Sequence, residues 1–272
     1  MVAIILIRGG GDLASGSALR LQRAGLQVVI TELPQPLVVR RLAAFADAVY
    51  TGQTSVEGVT ARRVDDPRSV QAVLDRREIA VLVDPEAVSR RQLRPLVLID
   101  GRMTKQPPEL GIDVAELVIG LGPGFIAGEN CHAVIETQRG HNVGRVIWRG
   151  SASPDSGVPE NLAEHGSDRI LRAPTDGILR VQAAIGDHLE PGQSVASVSG
   201  QPITAQFRGV LRGLAYPGLK VQRGLKIGDV DPRDDPSYCR LVSDKSLAVA
   251  GGVLEAILSR PALRDRLWEQ GK

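Results

Sequence analysis

Within the stretch GGGDLASGSALRLQRAG, Gly9, Gly11 and Ala14 stand at the spacing G-x-G-x-x-A, with Gly10 and Asp12 completing the loop. Each position suits a loop that presents backbone amides to an anion. Gly9 permits a tight turn, Gly11 lets N–H groups approach a pyrophosphate, and Ala14 lets the following helix pack closely on a strand. Glu32 ends the next apolar run, where a carboxylate can accept from a ribose hydroxyl. Further polar residues follow later apolar runs: Asp100, Arg102 and Lys105 in one place, Glu136, Arg139, His141 and Asn142 in another. Arg102, Lys105 and Arg139 have the chemistry to hold phosphate or pterin carbonyl groups. Glu136 and His141 are the acid–base candidates, His141 because imidazole changes charge near neutral pH. Cys131 and His132 adjoin, but neighbours on a strand point to opposite faces and no second Cys/His pair has ligand spacing, so no metal site is expected.

These side chains need elements to position them. Residues 3–8, AIILIR, read as a strand buried on both faces, residues 12–24 as a helix ended at Gly25, and LQVVITEL as a second strand. Together they close a βαβ unit. Strand patterns recur at 79–85, 95–103, 115–124, 132–140 and 144–150, and Asp66 with Pro67 would start a helix before the first of them. So little helix lies between the later runs that a mixed sheet is expected. In open α/β sheets ligands lie beyond the carboxyl ends of strands, which makes DGRMTK, GLGPGF and ETQRGHN candidate site walls.

The chain also carries an internal duplication. APTDGILRVQAAIGDHLEPGQSVASV, from Ala173, matches AQFRGVLRGLAYPGLKVQRGLKIGDV, from Ala205, so that Gly177 falls on Gly209, Gly186 on Gly218 and Gly192 on Gly224. One copy cannot bury its own apolar face, and two must interlock. The pattern resembles the biotinyl/lipoyl barrel-sandwich hybrid, although the hairpin VSGQPIT (198–204) has no carrier lysine. Asp229 and Asp231 alternate onto one side of a strand, beside Lys226 and Arg233, as a salt-linked turn. Residues 243–258 read as a helix capped by Ser243 or Asp244, with Leu247, Gly251, Leu254 and Leu258 along its apolar stripe and the Gly251–Gly252 pair in tight contact. The expected fold class is α/β: a Rossmann-like N-terminal domain with a mixed sheet, an all-β barrel-sandwich hybrid domain, and a C-terminal helix. The corresponding boundaries are 1–150 for the nucleotide or cofactor domain, 151–169 for a linker, 170–235 for the duplicated unit, and 236–272 for a helical segment packed on the first domain.

The bulk numbers narrow the function classes. A formal charge of +2 and only 3% aromatic residues provide neither a basic field nor stacking side chains, so no nucleic-acid partner is expected. No apolar run approaches the length of a membrane helix, two cysteines far apart suggest no disulfide framework, and the opening residues lack a leader pattern. A cytoplasmic location is expected.

Taken in order, GGGDLASGSALRLQRAG, VLIDGRMTK, GLGPGFIAGENCHAVIETQRGHN, GLKIGDVDPR and SDKSLAVAGGVLEAIL resemble the YqeB-type proteins of selenium-dependent molybdenum hydroxylase systems. The resemblance implies a maturation factor for a molybdenum hydroxylase client enzyme. On this reading the Gly9–Ala14 loop would take a nucleotide or a molybdopterin-type pterin–nucleotide cofactor, with Glu32, Arg102, Lys105 and Arg139 as the further binding residues. Two alternatives stand beside it: an NAD(P)-dependent oxidoreductase built on the same loop and Glu32, and a non-enzymatic docking adaptor built on the duplicated unit.

Overall fold

The computed structural model describes residues 3–155 and 165–268. The described residues of Met1–Pro36, Phe45–Asp155 and Val242–Lys272 form one compact unit, and those of Leu37–Ala44 and Ser156–Leu241 form another. The middle of the expected linker, 156–164, lies outside the described residues.

In the first unit the chain runs through β1 (Ile4–Arg8), α1 (Asp12–Arg23), β2 (Gln27–Glu32), α2 (Ala48–Thr51), β3 (Gln53–Val56), β4 (Val59–Val64), α3 (Val70–Leu74) and β5 (Ile79–Val83). It continues through α4 (Arg90–Leu93), β6 (Val97–Asp100), β7 (Leu117–Leu121), β8 (Ile126–Ala127), β9 (Ala133–Ile135), β10 (Val146–Ile147) and β11 (Gly150–Ser151). Nine strands make one sheet in the order β10-β9-β7-β6-β1-β2-β5-β4-β3, and β8 pairs with β11 apart from it. The seven inner strands are parallel, and β3 and β10 close the two edges antiparallel.

Alternation along β1 sends Ile5 and Ile7 into a core with Ala14, Leu19, Phe45, Val249 and Val253, while Ile4 and Leu6 meet Val29, Val73, Leu98 and Phe125 on the other face. With few aromatics, aliphatic side chains fill both layers. Helix α1 stops at Gly25, whose φ of 85° ends the helical geometry at little steric cost.

The C-terminal helices, α5 (Asp244–Leu258) and α6 (Pro261–Trp268), belong to this same unit. Ser243 caps α5 by accepting the amide of Ser246. Its buried stripe is Ser246, Val249, Ala250, Val253, Ala256 and Ile257, which corrects the stripe expected from Leu247 and Leu258; Leu258 is exposed. The reason is close approach. A Cβ on Gly16 of α1 would come within 2.7 Å of the Ser246 Cβ, and one on Gly252 within 2.1 Å of the Gly144 carbonyl. Small residues therefore face α1, while Leu247 and Leu254 are half-buried against the same core. Gly251, by contrast, faces open space.

The second unit holds β12 (Ile170–Arg172), β13 (Gly177–Val181), β14 (His188–Leu189), β15 (Ser194–Val198), β16 (Gln201–Thr204), β17 (Gly209–Leu214), β18 (Lys220–Val221) and β19 (Lys226–Asp231). Two four-stranded sheets result, β12-β19-β17-β14 and β16-β15-β13-β18. The duplication is visible in them: β13, β14 and β15 recur as β17, β18 and β19, and each sheet takes its short strand from the opposite copy.

The expected fold class is corrected. A Rossmann-like domain winds full helices over both faces of its sheet. Here, beyond α1, the helices between parallel strands have only four or five residues, and β6 passes to β7 with no α-helix at all. The second unit is a pair of separate small antiparallel sheets, each extended by a strand from outside the repeated set, β12 or β16. The architecture is an α/β mixed sheet accompanied by several small antiparallel sheets.

Candidate functional site

At β1 the strand order reverses: β2 lies on one side, and β6, from much later in the chain, lies on the other. Carboxyl ends of strands at such a switch point border a crevice. Arg8 and Asp100 are the last residues of β1 and β6 and are paired in register. The parallel pairing that aligns Leu6 with Leu98 therefore sets the two charges side by side on one face.

Arg8 is 2% exposed. Its Nη1 donates to Asp100 Oδ2 at 3.1 Å and to Glu109 Oε2 at 3.3 Å, and Nη2 donates to the Pro85 carbonyl at 3.3 Å. Its Nε has no hydrogen-bond partner among the described residues. Arg102 donates to Asp100 from Nε at 2.9 Å and Nη2 at 2.8 Å, and to Glu109 from Nη1 at 3.2 Å and Nη2 at 2.7 Å. Asp100 is buried while Glu109 reaches solvent. The Arg102 guanidinium is the main cause that lowers the Glu109 carboxyl to about 2.

The glycine loop lies beside this cluster. Gly9, at φ 85°, makes the turn, and the Arg102 side chain packs against it, 3.2 Å from where a Cβ would be. Gly10 abuts Ala46, and its carbonyl accepts from the Ala46 amide and the Ser15 hydroxyl. Gly11 faces open space. Ala14 packs against Gly101, just past β6, so a small residue at this position is needed for close helix-to-sheet contact. Asp12 is engaged by α5: Ser246 Oγ donates to its carbonyl at 3.3 Å and to its carboxylate at 3.2 Å. The same helix crowds Gly16 of α1.

Glu32 is not poised for a ribose. Its Oε1 accepts the Gly10 amide at 2.7 Å, and Oε2 accepts the Leu33 amide at 2.6 Å. Burial raises its pKa against the lowering effect of those amides. An internal carboxylate thus occupies one of the loop amides expected to meet a pyrophosphate.

The other expected residues have partners of their own or are exposed. Lys105 pairs with Asp155 at 2.5 Å, and Arg139 with Asp244 at the start of α5, at 2.5 and 2.6 Å. His141 is exposed. Glu136 is buried beyond β9, its oxygens accepting the amides of Gln138 at 2.7 Å and Ser153 at 2.8 Å. Burial alone would raise its pKa, but these amides lower it overall, so Glu136 is a fixed carboxylate that pins two loops. The loop, Glu32 and Arg102 come together, while Lys105, Arg139 and Glu136 are engaged by partners of their own and His141 is exposed.

Sequence reasoning missed Arg8 and Glu109. A charge closing the otherwise apolar run AIILIR was the available signal for Arg8. Among the described residues no group of three or more His, Cys, Asp or Glu could hold a metal ion. Cys131 is fully buried, its thiol pushed up to about 11 by burial, and His132 Nδ1 accepts the Val118 amide at 2.9 Å. In the second unit Asp229 and Asp231 are salt-linked as expected: Arg212 bonds both, Arg169 bonds Asp229, and Arg233 bonds Asp231. No single helix among the described residues is long and apolar enough to cross a membrane.

No family model matches the chain. Similar solved structures include an aspartoacylase family protein from Mesorhizobium loti, with 12% identity over 85% of each chain and a TM-score of 0.27. A succinylglutamate desuccinylase/aspartoacylase from Rhodobacter sphaeroides is 15% identical over 84% of this chain and 85% of that one, with a TM-score of 0.26. Likeness this weak carries no argument about chemistry. The uncharacterized protein YqeB of Escherichia coli (strain K12) is 44% identical over 255 residues, covering 94% of this chain and 47% of that protein. The chain thus spans about half the length of the curated relative it matches. Identity at that level along nearly the whole chain supports the YqeB family for this protein.

Proposed function

We propose that this chain is an accessory factor that holds an anionic, nucleotide-bearing cofactor of the molybdopterin type for a molybdenum hydroxylase client enzyme. The observation that supports it is the convergence of Arg8 and Arg102 at the switch point, beside a loop whose Gly11 is open. Two guanidinium groups, balanced in this structure by Asp100 and Glu109, and the amino end of α1 supply the donors that a phosphate would take. Residues Gly9, Gly10, Gly11, Asp12 and Ala14 shape that edge. The client and the pterin come from the sequence resemblance, and Lys105 and Arg139 are paired with Asp155 and Asp244. The nicotinamide alternative loses its main support, because Glu32 is committed to the Gly10 and Leu33 amides.

Calorimetric titration of the purified protein with cytidine diphosphate and adenosine diphosphate tests the reading. At least one should bind more tightly than millimolar, and Arg102→Ala and Gly11→Asp should each weaken it. If neither nucleotide binds, and Gly11→Asp changes nothing, the function is wrong. Mass spectrometry of any co-purifying ligand would identify the pterin directly.

A further inference from the structure

Glu109 sits where a ligand's anion would be expected. Its two oxygens take Arg102 Nη1 and Nη2 in parallel, and one of them also meets Arg8 Nη1. This is the two-point geometry with which a guanidinium receives a phosphate or carboxylate. Yet the side chain that supplies it is 68% exposed, on the segment between β6 and β7 that contains no α-helix or strand. That segment turns through Met103 and Lys105 in the left-handed region, at φ 56° and 61°. Arg8, in contrast, is buried with an unpartnered Nε, so the cationic half of the pair is built into the sheet and the anionic half is not.

The charge count is specific. Arg8 and Arg102 bring two positive charges, buried Asp100 cancels one, and Glu109 cancels the other. Removing Glu109 leaves a site for a single negative charge with at least two acceptor oxygens. Each phosphate of a diesterified pyrophosphate carries one such charge.

We infer that Glu109 is a tethered stand-in for one phosphate of the ligand's pyrophosphate, holding the Arg8–Arg102 site in the free protein and leaving it when the ligand arrives. The inference rests on the proposed function for the identity of the ligand. Displacement swaps one anion for another on the same two arginines and breaks no covalent bond. A ligand without an anion at this position cannot compete with Glu109, so the contact acts as a selectivity filter as well as a lock.

Binding of adenosine diphosphate ribose, a diesterified pyrophosphate, to the full chain and to Glu109→Gln and Glu109→Ala provides the test, with succinate as the carboxylate probe. Both variants should bind the pyrophosphate about tenfold more tightly, as loss of a competing ion pair would give. The gain should vanish in the double variant Arg102→Ala, Glu109→Ala. Wild-type binding that is unchanged by Glu109→Ala overturns the stand-in and leaves the proposed function intact. No binding by wild type or either variant overturns both. A gain for succinate alone keeps Glu109 as an anion's stand-in but overturns the pyrophosphate assignment. Melting temperatures check that the variants, altered at an exposed side chain, remain folded.

Discussion

Replacing Asp100 with Ala would leave the Arg8 charge buried with only weak support. Asp100 supplies its nearest anionic contact, at 3.1 Å; what remains is the Pro85 carbonyl and the solvent-exposed Glu109, both at 3.3 Å. Breaking a buried ion pair from one side costs about 3–5 kcal/mol, because the survivor has neither water nor partner. Glu109 offsets part of this, so the lower end, about 3 kcal/mol, is expected. At about 2–4 °C per kcal/mol for a body of this size, the melting temperature should fall by roughly 6–12 °C. Both tryptophans, Trp148 and Trp268, lie in the first unit, so their fluorescence during urea unfolding reports on that unit. The double variant Arg8→Met, Asp100→Leu removes the buried charge together with its partner and should be more stable than Asp100→Ala. If Asp100→Ala costs less than about 1 kcal/mol, as an exposed pair would, Arg8 is hydrated and the reasoning is refuted.

Gly16→Leu should destabilise the first unit by about 1–3 kcal/mol, since its Cβ would meet the Ser246 Cβ and carbonyl and push α5 away; thermal unfolding measures it, and an unchanged midpoint would show that the helices are not in contact. Arg212→Ala should cost about 3 kcal/mol or more in the second unit, because Asp229 and Asp231 are both almost fully buried; retention of wild-type stability in urea would mean that Arg169 and Arg233 suffice. Glu32 and Glu136 should pull stability in opposite directions with pH. Burial raises Glu32, so its contribution falls as pH rises from the usual carboxylate range through its folded value; Glu136 is lowered, so its contribution is present above that range and is lost as pH falls through its folded value. Carboxyl NMR titrations should place the Glu32 midpoint above that of Glu136, and the reverse order would contradict the burial assigned to Glu32 and the amide bonds assigned to Glu136.

Much of the local structure was legible in the residues. The first strand, the helix from Asp12 and its end near Gly25 follow from an apolar run, a 3.6-residue pattern and a left-handed glycine, all governed by neighbours in the chain. The duplicated strands follow likewise, because the glycines that turn one copy turn the other. The later strands were found but drawn too long: 132–140 shrinks to Ala133–Ile135, since Glu136 turns back to accept loop amides instead of continuing the ladder.

The site divides along the same line. Amino-acid type and spacing by themselves determined the turn at Gly9, the small Ala14 and the presence of charges past the strand ends, because each depends on the backbone within a few residues. Tertiary structure alone decided which charge meets which. Arg8 meets Asp100, 92 residues away, because β6 and not another strand lies beside β1; Arg139 is taken by Asp244, 105 residues away, because α5 returns to the unit that holds α1. Glu32 likewise turned inward to an amide that the fold brought within reach. A side chain's charge is written in its residue type, but its partner is set by strand order and helix packing, which minimise exposed apolar area over the whole unit and leave no local trace.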